Sequence, residues 1–326
     1  MNLLGIKKSS WFLILIAWMT CVIWSGCHGV ADKIEAPQEL AATYVMVLGV
    51  AQDAGYPQAN CEKSCCRPAW DDPSLRRMVS CIGVVDTVAR KYWIFDATPD
   101  FKDQLQMMKT RLGAGYELGG VFITHAHIGH YTGLIQLGKE VIGAELVPTY
   151  VMPRMASFLS SNGPWSQLIK IENVDLKRMS ADSAIVISET LTVTPVLVPH
   201  RDEYSETVGF SISSGDKKLM FIPDIDKWER WDRDIKQVVE DHDYALLDAT
   251  FYADGELGGR DMSMIPHPFV SETMETFANA DKKTKEKIHF IHINHTNPIL
   301  DPSSSQYQDV ISYGAGVCEE GQTFSL

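Results

Sequence analysis

The stretch "VFITHAHIGHYTGL", residues 121–134, places three histidines directly behind an apolar run, in a chain of 326 residues that has ten histidines in all. "GGVFIT" reads as a strand ending at Thr124. His125, His127 and His130 then fall in the loop between that strand and the next helix, where side chains can converge instead of alternating across a sheet. Imidazole is the commonest protein ligand for zinc and similar divalent ions, and a site with an open position suits hydrolysis. A single histidine here would be an ordinary polar loop residue; three at this spacing after a buried strand point to metal. Gly129, just before the last of them, is the odd member of the series.

The rest of the chain narrows the class. With 42 Asp and Glu against 29 Lys and Arg, the surface is acidic. Nucleic acid is excluded as a partner, because a phosphate backbone is bound by basic surfaces that release its counterions. A hydrophobic content of 45% is ordinary for a protein with a sizeable core.

At the N-terminus, Lys7 and Lys8 precede "WFLILIAWMTCVIW", followed by Ser25, Gly26 and Cys27. Positive, then apolar, then small residues is the order of a secretory signal, and the run is short for a membrane span. Ser25-Gly26-Cys27 is similar to a bacterial lipobox, with Trp24 where leucine is usual. The expected organisation is a signal peptide over residues 1–27, a tether over 28–42 and one domain over 43–326. The protein would be exported, periplasmic or at the cell surface, and held to the membrane by lipid on Cys27. Five cysteines remain, Cys61, Cys65, Cys66, Cys81 and Cys318, an odd number that cannot all pair within one chain.

Short β-rich runs punctuated by Gly, Pro and Asp predict strands at "YVMVLGV", "VSCIGVV", "YWIFDAT" and "GGVFIT". Further strands are predicted at "VPTYVM", "AIVISE", "LTVTPVLV", "VGFSISS", "KLMFIP", "YALLDAT" and "KIHFIHI". Apolar spacing predicts helices at "GLIQLGKEVIG", with Leu134, Leu137 and Val141 on one face, at "KWERWDRDIKQVVEDH" and at "PFVSETMETFANA". Hairpin-like strand pairs mixed with separate helices favour an α/β arrangement of sheets covered by helices.

"THAHIGHYTGL" resembles the His-x-His-x-Asp-His motif of the metallo-β-lactamase superfamily. The resemblance implies an αββα sandwich with up to two metals at the sheet edges. It also implies three later ligands at strand ends, and the chain offers His200 in "VLVPHRDEY", Asp224 in "KKLMFIPDIDKW" and His292 in "FIHINHTNPIL", with Asp226 a lesser substitute for Asp224. Within the superfamily, "VLGVAQDAGYPQANC", "IFDATPD", "YALLDATFYADGEL" and "FIHINHTNPIL" resemble the pyrroloquinoline quinone biosynthesis protein B branch, over nearly all of the expected domain.

Carried over, the resemblance implies that His125, His127 and His200 hold a first divalent metal, with zinc, manganese or iron as candidates. Asp224 would bridge to a second metal completed by His130 and His292. Gly129 stands where the motif has Asp, which predicts a weaker second position lacking one carboxylate. The implied reaction is hydrolysis of a small ester, lactone or phosphodiester by metal-activated water, with Asp224 and His267 as candidate catalytic groups. His267 lies between two prolines that would fix its loop. The alternatives are a non-haem iron oxygenase, since histidines plus one carboxylate also suit that chemistry, and an idle carrier.

Several other residues carry open readings. Cys61, Cys65, Cys66 and His295 form a structural zinc site, as the resemblance implies, or Cys65 or Cys66 pairs with Cys81, or the thiols stay reduced. Asp53 lines the pocket or caps a turn. Asp96 holds a liganding imidazole by a hydrogen bond, Asp100 caps a helix, and Asp248 serves the metal region or a turn. Trp228 and Trp231 pack in the core or at its rim rather than forming a ligand box. "GAGYELGG" precedes a strand rather than a helix and makes no phosphate loop.

Overall fold

The computed structural model describes residues 41–326; the expected signal sequence, the expected lipid anchor on Cys27 and all but the last two residues of the expected tether lie outside the described residues. Two seven-stranded sheets face each other. The first is built from β1 (Thr43–Gly49), β2 (Cys81–Asp86), β3 (Lys91–Phe95), β4 (Glu117–Phe122), β5 (Val147–Val151) and β6 (Val174–Arg178). The second contains β7 (Ile185–Val186), β8 (Leu191–Leu197), β9 (Val208–Ser214), β10 (Lys217–Ile222), β11 (Tyr244–Asp248), β12 (Ile288–Ile291) and β13 (Gly316–Val317). The last strand, β14 (Thr323–Ser325), returns to the edge of the first sheet beside β1. Each sheet has a hairpin-built half and a parallel half, with β3 to β6 parallel in one and β10 to β13 parallel in the other.

Both faces of both sheets are covered, which explains why β1 is buried along its whole length. Alternation still sorts its side chains. Val45 and Val47 join Trp93, Phe95, Phe122, Phe210, Phe221 and Leu246 in the layer between the sheets, while Tyr44, Met46 and Leu48 pack outward. Phe95 stacks on Phe122 at 4.7 Å and meets Phe210 edge-on at 5.2 Å, so one aromatic cluster joins the two sheets. Helices Phe101–Leu112 and Pro153–Ser161 cover the outer face of the first sheet. Ile235–Glu240, Val270–Thr276 and Ser305–Tyr313 cover the second. The arrangement is the expected αββα sandwich.

Local departures have local causes. The predicted helix "GLIQLGKEVIG" is only a 3-10 turn, Thr132–Leu137, after which Gly138 turns extended and Val141 faces solvent. Of the helix predicted from Lys227, Trp228–Arg230 forms a 3-10 turn and the α-helix begins at Ile235, where the Asp234 carboxylate accepts from Lys236 N. Trp228 and Trp231 are core residues as expected, each indole N–H satisfied, by Thr273 Oγ1 and by the Leu197 carbonyl. Asp100 stands at the start of Phe101–Leu112 but does not cap it with its side chain; its carboxylate accepts from Val79 N at 2.8 Å.

His289 on β12 carries a buried, unpartnered Nδ1, and burial pushes its pKa down to about 4. Between that value and the unfolded one near 6.5, only the unfolded chain takes up the proton, so stability falls as pH drops through this window. His289→Leu is expected to flatten the pH dependence of Tm between pH 6.5 and 4 relative to the parent, an effect of about 3 kcal/mol at most; parallel thermal melts check it.

Candidate metal centre

Most donors of the centre sit at or just beyond the carboxyl end of a strand, the end at which open α/β sheets present ligand-binding residues. Thr124 and His125 follow β4, His200 follows β8, Asp224 follows β10, Asp248 ends β11 and His292 follows β12. His130 comes from the single helical turn Ile128–Tyr131 behind β4, and Asp53 from the loop after β1. His125, His130, Asp224, Asp248 and His292 are buried, while His127 retains slight exposure and marks the mouth.

Two donor sets share one oxygen. In the first, His125 Nε2 lies 2.9 Å from His127 Nδ1, and His200 Nε2 lies 3.3 Å from the same atom. Asp224 Oδ2 closes the set at 3.4 Å from His125 Nε2, 3.3 Å from His200 Nε2 and 4.0 Å from His127 Nδ1. Four donors about 2.0–2.1 Å from one ion in tetrahedral array stand roughly 3.4 Å apart, so the spacing fits a divalent cation. In the second, the Asp53 carboxylate lies 3.1 Å from His130 Nε2 and 3.6 Å from His292 Nε2. Asp224 Oδ2 is 3.8 and 3.9 Å from the same two nitrogens. One of these donors, His292 Nε2, is buried without a hydrogen-bond partner. Buried polar atoms are almost always satisfied, and a divalent ion held between these donors would satisfy this one.

Charge makes the same demand. Burial alone would raise Asp224, but His200, His267 and His292 outweigh it and hold the carboxyl well below the usual range. Asp53 is held low in the same way, against its own burial, by His130 and His292. Burial and the neighbouring His130 push His125 down, leaving a neutral imidazole with a free lone pair. Every ion-pair partner of Asp53, Asp96, Asp224 and Asp248 among the described residues is a histidine. Carboxylates this buried call for a cation between them.

The outer nitrogens of the imidazoles are also held. Thr124 Oγ1 donates to Asp96 and accepts from His125 Nδ1 at 2.9 Å, which leaves Nε2 as the donor to metal. Thr250 Oγ1 does the same between Asp248 and His292 Nδ1, at 2.7 and 3.0 Å. Asp96 holds His130 Nδ1 at 2.7 Å, as expected for Asp96, and Asp226 accepts from His200 Nδ1 at 3.3 Å, so Asp226 supports a donor rather than replacing Asp224. His267 Nδ1 is 2.8 Å from Asp248 and 3.2 Å from Asp224 Oδ1. Burial would lower this imidazole, yet the two carboxylates raise it well above its ordinary value.

All the sequence-predicted donors therefore come together, and one was left open. The second set is not short of a carboxylate, because Asp53 stands where the motif residue at 129 would reach. A Cβ on Gly129 would overlap the Asp53 carboxylate and fall 2.5 Å from its Cα. The signal was present in the "AQDAG" turn, but only the fold shows which loop fills the space beside a glycine.

Cys61, Cys65, Cys66 and His295 form a separate cluster, with Cys65 and Cys66 Sγ at 3.6 and 3.2 Å from His295 Nδ1 and Cys61 Sγ at 3.7 Å from Cys65 Sγ. Thiolates about 2.3 Å from a tetrahedral zinc stand roughly 3.8 Å apart, so these donors fit that ion. Pairing with Cys81 is excluded: the Cys81 thiol is buried against the Asp96 carbonyl, and all five cysteines are free.

The fold and these donor sets define a β-lactamase superfamily protein, and the chain belongs to that family, whose domain model matches residues 92–293. More particularly, it is similar to coenzyme PQQ synthesis protein B of Methylorubrum extorquens strain PA1, 27% identical over 307 residues that cover 87% of this chain and 100% of that protein. The Pseudomonas putida protein of the same name is 25% identical over 314 residues with the same coverage. Among solved structures, zinc-bound PqqB from Methylobacterium extorquens superposes with a TM-score of 0.73 at 25% identity, over 87% of this chain and all of that one. A diphosphatase of the PhnP family shares the fold at 21% identity, with a TM-score of 0.60 over 86% of this chain and 96% of that one.

His127→Ala is expected to lower divalent metal bound at the first set at least tenfold, while His242→Ala, at a buried histidine remote from both sets, leaves metal content unchanged; elemental analysis after dialysis measures both.

Proposed function

We propose that this chain is a metal-dependent hydrolase of small esters, lactones or phosphodiesters. The observation that carries the reading is Asp224 Oδ2, one oxygen shared by the donors of both histidine sets, beside a histidine and carboxylate pair directed at the same carboxylate. Divalent ions held by His125, His127, His200 and Asp224, and by Asp53, His130, His292 and Asp224, would supply Lewis acidity and lower the pKa of water there. The protein's own residues do the remaining work. Asp248 holds His267 through Nδ1, and Nε2 has no protein partner among the described residues, so it is free to give a proton to a departing oxygen. The raised pKa keeps that proton available near neutrality. Ile128, Tyr204 and Met264, which flank His127, Glu203 and the His267 loop in sequence, are exposed and offer apolar surface to the unreactive part of a substrate. That composition, with the acidic charge, favours a small apolar ester or lactone over a polyanion.

The relatives weigh more heavily toward the other reading, a role in coenzyme PQQ synthesis like that named for proteins matched over their whole length and over 87% of this chain. The same donors would then serve iron and oxygen chemistry. A panel of esters, lactones and phosphodiesters, run beside oxygen uptake with zinc- and iron-loaded protein, separates the two. Hydrolysis without oxygen consumption supports the first; iron-dependent uptake with no hydrolysis overturns it in favour of the second. Within the first reading, His267→Ala is expected to lower kcat by about 10²- to 10⁴-fold with metal content unchanged, and to remove the high-pH decline that loss of its proton causes. The export and lipid anchoring expected from residues 1–27 belong to the same proposal, and fractionation of expressing cells tests them.

A further inference from the structure

Two chain segments each contribute donors to both the second histidine set and the thiol cluster. Residues 50–66 supply Asp53 to one and Cys61, Cys65 and Cys66 to the other; residues 292–295 supply His292 to one and His295 to the other. The segments are tied together between the sites. Gln52 N donates to the Ile293 carbonyl at 2.9 Å, Ile293 N donates to the Val50 carbonyl at 2.8 Å, and Ala51 bridges Ile293. Farther along, Tyr56 Oη donates to the Cys65 carbonyl at 2.7 Å, which joins the Asp53 turn to the thiol loop.

Gly129 makes this approach possible. Its missing Cβ would overlap Asp53 Oδ1 and crowd the Asp53 Cα at 2.5 Å. The overlap places Asp53 Oδ1 about as far from that Cβ as an aspartate's own oxygens stand from theirs. An oxygen delivered from the β1 loop thus occupies a point that a side chain at 129 could otherwise have reached.

We propose that residues 50–66 form an arm that carries the second set's carboxylate, and that a soft divalent ion in the Cys61, Cys65, Cys66 and His295 cluster holds the arm in place. Occupancy of the second catalytic position then depends on two features that donate nothing to it, the bare Gly129 and the thiol cluster. Loss of the thiol-bound ion loosens both Asp53 and His292 at their far ends. The first set, built on β4, β8 and β10, has no residue on either segment and stays loaded.

The proposal rests on the metal-centre reading, and a titration of the full chain with cobalt(II) followed by zinc competition separates the two. Thiolate charge-transfer absorption reports the cysteine cluster, and d–d bands with elemental analysis report the histidine sets. Asp53→Ala is expected to abolish the second position and Gly129→Ala to weaken it at least tenfold. Cys65→Ser and His295→Ala are expected to remove the thiolate absorption and weaken the second position at least tenfold. In all four variants the first set retains its parent affinity, which also shows that they fold. Parent affinity at the second position in Gly129→Ala, Cys65→Ser and His295→Ala would overturn the arm; a parent chain that takes up no metal in either histidine set would overturn the metal centre and the arm with it.

Discussion

A buried negative charge organises this molecule. Asp224 lies at the end of β10, 3% exposed, with imidazoles from β4, β8, β12 and two loops turned toward it. Burying a carboxylate costs several kcal/mol unless opposite charge and hydrogen bonds repay it. No lysine or arginine pairs with it among the described residues, so histidines and a cation must. That requirement is met where strand ends from both sheets bring their imidazoles together, and Phe95, Phe122 and Phe210 join the two sheets that carry those ends.

The same device occurs in both sheets. Asp96, Thr124 and His125 on the first are matched by Asp248, Thr250 and His292 on the second, each threonine relaying a hydrogen bond from imidazole to carboxylate. Asp96 and His292 adopt positive φ, 71° and 63°, a conformation that costs about 1–3 kcal/mol for a residue with a side chain. The surrounding hydrogen bonds keep both residues there. Fixed tautomers and strained backbone are the signs of a site arranged before any ligand arrives.

Part of this was legible in the sequence because its signals are local. The histidine loop can be read from residue type beside an apolar run, whereas His200, Asp224 and the joining of the Cys loop to His295 follow from the resemblance to the superfamily. Asp53 could not be assigned, since its role depends on the β1 loop crossing Gly129, a contact between residues far apart in the chain. Asp226 and Asp100 show the same limit: the sequence marks each as a strand-end or helix-start carboxylate, but which backbone or imidazole each meets is decided by packing. The helix predicted through Val141 failed because its apolar spacing continues past Gly138, where the chain has already turned away.

The most direct test of a shared carboxylate is anomalous diffraction from crystals of the full chain grown with zinc. One peak is expected among His125, His127, His200 and Asp224 and another among Asp53, His130, His292 and Asp224, with Asp224 Oδ2 between them. No peak in either set, or an Asp224 carboxylate satisfied wholly by protein hydrogen bonds, would contradict the shared carboxylate.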